Sequence, residues 1–106
     1  METDKVFRLL GLATKAGKIA FGMTSVIDTI SKNKAKLVII AEDASERTKR
    51  NIIRIAQESN VQIRIYGDIN TISNSIGKDN KAIVCINDIN FSKEMLKIID
   101  GGEAIG

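Results

Sequence analysis

Histidine, proline and tryptophan are absent from this 106-residue chain, and cysteine occurs once. Without histidine, no Ser-His-Asp or Cys-His nucleophile system can be assembled within the chain. One cysteine cannot close an internal disulfide, and zinc sites of the Cys/His type need about four ligands. A reducing, cytoplasmic setting is therefore expected. Without proline, helices must be stopped by Gly, Asn or Asp. Aromatic residues are only 4% of the chain, so the core must be built from Ile, Val, Leu and Ala. Long apolar runs are also missing. Leu37 to Ala41 and Ala82 to Ile86 fall far short of the roughly 20 residues a membrane helix needs. The first residues carry acids early and lack a long apolar stretch, which does not read as a signal peptide. No membrane partner is expected.

What is present describes a globular domain. Hydrophobic residues make up 43% and charged residues 27%. The length suits one core and is too short for two. Sixteen basic and thirteen acidic side chains leave a net charge of +3. The excess lies early: residues 1–53 hold 10 basic and 6 acidic side chains, and residues 54–106 hold 6 and 7. That distribution hints at a polyanionic partner, beside the plain reading of solvated surface charge.

Periodicity gives the elements. Thr3 or Asp4 can cap a first helix whose apolar face is Val6, Leu9, Leu10 and Ala13, with Gly17 as its stop. Ile19 to Phe21 is a short strand closed by Gly22. A second helix over about Thr24 to Lys32 turns Val26, Ile27 and Ile30 inward and ends at Asn33. Leu37 to Ala41 is apolar without alternation, so it is expected to be a central strand covered on both faces. After the turn Glu42-Asp43-Ala44, Ser45 caps a third helix to about Ser59, with Ile52, Ile55 and Ala56 inward. Val61 to Ile65 alternates, which places this strand nearer an edge. Asp68 caps a short helix carrying Ile69, Ile72 and Ile76, and Gly77 is its natural end. Ala82 to Ile86 is another buried strand. Ser92 is expected to cap the last helix, with Phe91 stapled onto Leu96. Helices and strands alternate throughout. The fold class is α/β: a three-layer α/β/α sandwich around a mostly buried four-stranded mixed sheet. Residues 1–100 form one domain and 101–106 a flexible tail.

Five places invite chemistry. At the Gly22 turn, Met23, Thr24 and Ser25 would offer free amides and two hydroxyls at the positive end of the second helix, suited to phosphate oxygens or base acceptors. The alternative is a plain capped helix, with Thr24 or Ser25 bonded to its own backbone. Lys15, Lys18, Lys32, Lys34 and Lys36 gather around the ends of the first two helices. They either neutralise phosphates or form a solvated surface, and no aromatic residue interleaves them for base stacking. Glu42 and Asp43 either hold a divalent cation or serve the turn and the helix dipole. Cys85 lies in a buried strand and is read as structural. Gly77-Lys78-Asp79-Asn80 is a small polar loop entering a strand. No GxGxxG or GxxxxGK[ST] motif is present, so dinucleotide or Walker-type binding has no support.

The stretches LLGLATKAGK (Leu9 to Lys18), AKLVIIAEDAS (Ala35 to Ser45) and IGKD (Ile76 to Asp79) resemble the ribosomal protein family of L7Ae and L30e, in a small bacterial form. The resemblance spans nearly the whole chain and implies an α/β/α sandwich. It implies RNA binding, especially of kink-turns, sharply bent duplexes with tandem sheared G·A pairs. In that family the start of the second helix enters the bent groove. The matching positions are Gly22, Thr24, Ser25 and Asp28, where relatives usually carry Asn-Glu or Lys-Gln at the Thr24-Ser25 pair and Lys at Asp28. Hydroxyls thus replace groups that read guanine edges, and an anion replaces a cation. The second RNA-facing loop corresponds to Gly77 to Asn80, where many relatives place apolar residues.

These observations predict a cytoplasmic, non-enzymatic, monomeric RNA-binding protein with no cofactor and no metal, docking on structured, ribosomal or kink-turn-like RNA. Gly22, Thr24, Ser25, Asp28 and Gly77 form the docking turn and loop. Lys18, Lys32 and Lys78 bind flanking phosphates, and Ser45 faces an extruded nucleotide. The alternative is a ribosome-associated module that binds ribosomal proteins through a drifted RNA face. A hydrolase built on Glu42 and Asp43 is a third reading.

Overall fold

The computed structural model describes residues 4–101. Thr3 and residues 102–106, with their cap and tail expectations, lie outside the described residues. Gly101 closes the last helix and does not open a tail. The elements are α1 (Lys5–Lys15), β1 (Ile19–Phe21), α2 (Met23–Ser31), β2 (Leu37–Ile40), α3 (Glu46–Glu58), β3 (Gln62–Ile65), α4 (Ile69–Ser75), β4 (Ile83–Ile86) and α5 (Ile89–Gly101). One four-stranded sheet has the order β1-β4-β2-β3. Strand β4 runs antiparallel to both β1 and β2, and β2 runs parallel to β3. The α2 and α3 helices pack together on one face, and α1 packs with α4 and α5 on the other.

The strand order explains the composition of each strand. Every residue of β2 and β4 is buried, since both strands are central and roofed by helices on both faces. Edge strands β1 and β3 are only partly covered. Leu37, Val38, Ile39 and Ile40 meet Val6, Leu10, Ala13, Val26, Ile30, Ile52, Ile72 and Met95 in a single aliphatic core. Burying each branched side chain contributes roughly 1.5–3 kcal/mol.

Helix ends follow from the missing proline. The α1, α2, α3 and α4 helices each close with a left-handed residue: Gly17, Asn33, Asn60 and Gly77. At α1, Lys18 N donates to Ala13 O at 2.9 Å and Gly17 N to Thr14 O at 3.0 Å. The other three repeat this paired pattern, in which the chain doubles back over the last carbonyls. At the start of α1, Asp4 accepts from Val6 N at 2.8 Å, and its other oxygen accepts from the Tyr66 hydroxyl at 2.5 Å. Burial and then this carboxylate raise the Tyr66 phenol well above its ordinary value.

The start of α5 differs from expectation. Asp88 Oδ2 accepts from Phe91 N at 2.9 Å, and Ser92 N bonds Asp88 O at 3.0 Å, so Asp88 caps this helix. Both residues are good caps one turn apart, and the earlier one gives a longer helix. Ser92 is instead a buried residue inside the helix whose hydroxyl has no partner among the described residues. Phe91 therefore stands within α5 and cannot staple onto Leu96 across a cap. Both pack against the core.

Candidate nucleic-acid interface

One end of the sheet collects four chain reversals. The register pairs Phe21 with Val84 and Ile40 with Ile83. The rim beyond these pairs is locked by backbone bonds: Gly22 N to Ile83 O (3.0 Å), Ala41 N to Ala82 O (2.9 Å), Tyr66 N to Ile40 O (2.9 Å) and Glu42 N to Gly67 O (2.7 Å). The Gly22 turn, the Glu42–Ser45 turn, the Gly67 turn and the loop from Gly77 to Ala82 thus share one surface.

Gly22 is the N-cap of α2, at φ 85° and ψ 157°, and no side chain caps the helix. The positive φ favours glycine, and open space lies where a Cβ would stand. The first amide to find a carbonyl is Val26 N, 3.0 Å from Gly22 O. Among the described residues, the Met23, Thr24 and Ser25 amides have no acceptor, and the exposed Thr24 and Ser25 hydroxyls make no hydrogen bond. The reading in which Thr24 or Ser25 caps its own helix is excluded by this geometry. What remains is a short row of donors at the positive end of a nine-residue helix.

Beside this turn stands Phe21, half-buried on β1. The Lys78 ammonium lies 5.3 Å and the Lys81 ammonium 5.5 Å from its ring centroid. Both distances are within cation–π range. The loop carrying these lysines is tied down by Ser73, which is 2% exposed. Its hydroxyl accepts from Lys81 N at 2.7 Å and donates to Lys81 O at 3.3 Å, while its carbonyl accepts from Lys78 N at 2.9 Å. Phe21, Lys81 and Ser73 were not legible as site residues. The one signal was a serine inside a helix that the apolar pattern alone would have filled with a hydrophobe.

The remaining candidates separate. Ser45 lies on the same rim, exposed, but its hydroxyl accepts from Thr48 N at 3.1 Å and donates to Thr48 Oγ1 at 2.9 Å as the cap of α3. Asp43 Oδ1 accepts from Ile69 N at 2.9 Å, and the Glu42 carbonyl accepts from Lys49 Nζ at 2.7 Å. Asp43 therefore serves the start of α4, and no cluster of three metal-ligating side chains occurs among the described residues. Asp28 is exposed on the flank of α2, one turn beyond Thr24, and pairs with Lys32 at 3.0 Å. Lys18 is not on this rim. Its carbonyl accepts from Asn87 N at the other end of β4, so Lys18 and Gly22 face opposite ends of the sheet. Lys32, at the C-terminus of α2, lies toward that far end as well. Cys85 is fully buried in β4, and burial pushes its thiol up to about 11.

The profile described as the ribosomal protein L7Ae/L30e/S12e/Gadd45 family matches residues 4–97. The chain belongs to this family. Among L7Ae-family relatives it is 32% identical over 94 residues to RNA-binding protein YlxQ of Bacillus subtilis, covering 89% of this chain and 94% of that protein. To YlxQ of Enterococcus faecium it is 35% identical over 98 residues, covering 92% and 94%. To the large ribosomal subunit protein eL30 of Yarrowia lipolytica it is 36% identical over 76 residues, covering 71% and 70%. A Bacillus halodurans protein of unknown function superposes with a TM-score of 0.89 at 26% identity, covering 92% of this chain and 99% of that one. The Giardia lamblia 15.5kD RNA binding protein shares the L7Ae-type fold, with a TM-score of 0.77 at 16% identity over 93% and 91% of the two chains.

Proposed function

We infer that this protein is a non-enzymatic RNA-binding domain that docks the Gly22 turn against a groove of structured RNA. The observation that carries this reading is the uncapped start of α2. Three unpaired amides and two exposed hydroxyls stand there beside Phe21, Lys78 and Lys81. The relatives named RNA-binding protein YlxQ support the ligand class. Gly22, Thr24 and Ser25 meet the groove, Gly77 and Lys78 the flanking strand, and Ser45 an extruded nucleotide. Asp28 and Lys32 line the flank of α2. Lys18, at the far end of the sheet, lies outside this docking surface. The RNA is kink-turn-like or ribosomal, and the protein acts as a cytoplasmic monomer without cofactor. Thr24 and Ser25 offer hydroxyls in place of the amide and carboxylate side chains of relatives, so shape and backbone contacts outweigh guanine reading.

Thr24→Asp tests the docking mode. A carboxylate in the first turn favours the helix by roughly 0.3–1 kcal/mol, yet it repels a docking phosphate. Fluorescence titration with a kink-turn duplex at fixed salt is expected to show affinity weakened about tenfold or more, a change of about 1.4 kcal/mol. The unfolding midpoint should be unchanged or raised. Unchanged RNA affinity would remove the turn from the interface.

A further inference from the structure

The far end of the sheet carries its own charge. Lys18 O accepts from Asn87 N at 2.9 Å, and Lys36 N donates to Ile86 O at 2.8 Å. The two lysines therefore flank the end of β4 on opposite sides, with backbones about 10 Å apart across two strand spacings. Lys15, in the last turn of α1, and Lys34, just past α2, stand at the same end, and all four are exposed. The segments meeting there are residues 12–20, 32–38, 58–63 and 86–91, whose acidic residues are Glu58, paired with Arg54 at 3.7 Å, and Asp88. Its carboxylate already caps α5. No ion pair joins Lys15, Lys18, Lys34 or Lys36 to an acid among the described residues. Lys15, Lys18 and Lys34 complement the negative ends of α1 and α2. Lys36 precedes β2 and belongs to no helix, and α3, which also ends here, has no basic residue in its last turn.

We propose that this far end is a second RNA-binding surface, resting on the reading above, through which one molecule bridges two RNA segments. Lys15, Lys18, Lys34 and Lys36 would hold phosphates of a second duplex without regard to sequence. A single strand of phosphates running from the Gly22 turn is disfavoured. The two surfaces are separated by the length of β1 and α2, roughly 13 Å of backbone. The exposed Asp28 carboxylate stands on the α2 flank between them.

The test uses a biotinylated kink-turn duplex on a streptavidin surface, loaded with protein at low salt, and a fluorescein-labelled straight RNA duplex added afterwards. Wild-type protein should retain the straight duplex. The variant K15Q/K18Q/K34Q/K36Q should load equally on the kink-turn but retain about tenfold less straight duplex. Equal retention by the variant overturns the proposal, as does no retention by the wild type. A variant that loses kink-turn loading itself would show one continuous site, which also overturns it. If even wild-type protein fails to load on the kink-turn, the docking reading has failed. The far end is then judged by titrating the straight duplex in solution. There the variant should flatten the slope of log affinity against log salt by up to about 3.6 units, at about 0.9 per phosphate contact. An unchanged slope overturns the second surface. Lysine-dependent sedimentation with phosphatidylserine vesicles, without duplex capture, would assign this end to membranes instead and overturn it.

Discussion

The Lys32 ammonium stands 3.0 Å from the Asp28 carboxylate, one turn along the exposed flank of α2. The acid is N-terminal to the base, the favourable order for a pair four residues apart, worth about 0.3–0.5 kcal/mol. This pair has two effects on any RNA lying along α2. Lys32 partly cancels the repulsion from Asp28, and Asp28 withholds Lys32 from phosphates. Asp28→Lys should therefore both remove an anion and release a cation. It is expected to tighten kink-turn binding and to steepen the salt dependence by somewhat under two units, at about 0.9 per phosphate contact. Adding Thr24→Asn and Ser25→Glu, the residues usual in relatives, should tighten binding further. Titration of these variants at fixed salt decides. If Asp28→Lys leaves both affinity and slope unchanged, this flank does not face RNA.

Ser73 positions the loop carrying Lys78 and Lys81. Ser73→Ala removes the acceptor for Lys81 N and leaves that amide half-buried and unpaired. A loss of about 1–3 kcal/mol in stability is expected. RNA affinity should fall more than in Lys81→Gln alone, because both lysines lose their station over Phe21. Chemical denaturation and RNA titration of the two variants separate these effects; equal affinities would mean that the loop holds its shape without Ser73.

Gly67 adopts φ +73°, and a Cβ there would lie 2.5 Å from Phe7 Cζ. The left-handed backbone alone disfavours a side chain by roughly 1–2 kcal/mol, and the ring cannot yield freely because it packs against Tyr66 at 5.5 Å. Gly67→Ala is expected to destabilise the fold by about 2–4 kcal/mol, read as a lowered urea midpoint with an unchanged slope. A midpoint equal to wild type would show that the Phe7 ring moves aside.

Cys85 is expected to lower stability at alkaline pH. In the unfolded chain its thiol ionises near pH 8.5, whereas burial holds the folded thiol neutral to about 11. A raised folded value gives stability that is complete below the unfolded value and is lost as pH rises through this window. The loss is on the order of 3 kcal/mol. Tyr66, raised by burial and by Asp4, acts in the same direction above pH 10. Urea unfolding from pH 7 to 10 should show a decline that Cys85→Ala flattens. Native Cys85 should also resist iodoacetamide until the protein unfolds, and fast labelling of the native state would show that β4 is not sealed.

Much of this architecture was legible because it depends on local pattern. Unbroken apolar runs marked β2 and β4 as central, alternation marked β3 as an edge, and Gly17, Asn33 and Gly77 marked three helix ends, while Asn60 closes α3 unannounced. The position of the site was less legible because it depends on strand order. Phe21 meets Lys78 and Lys81 only because β4 inserts beside β1. Lys18 and Gly22 flank β1 itself, so the extended strand alone puts them at opposite ends of the sheet. Asp88 and Ser92 are both good capping residues one turn apart, so local pattern alone does not choose between them.

Among the described residues, strand β1 pairs only with β4, and β4 also joins β2 to β1. During synthesis, β2 and β3 can pair once residue 65 has emerged, but β1 has no neighbour until residue 86 follows. The Gly22 turn is anchored through Ile83 O, and Phe21 receives its lysines from the segment just before β4. A nascent chain is thus expected to complete the rim around Gly22 only with its last strand, so incomplete chains would lack the proposed docking surface. A fragment ending at residue 81 should leave the amides of Ile19 to Phe21 unprotected in hydrogen exchange, and protection there would place the closure of the sheet earlier in synthesis.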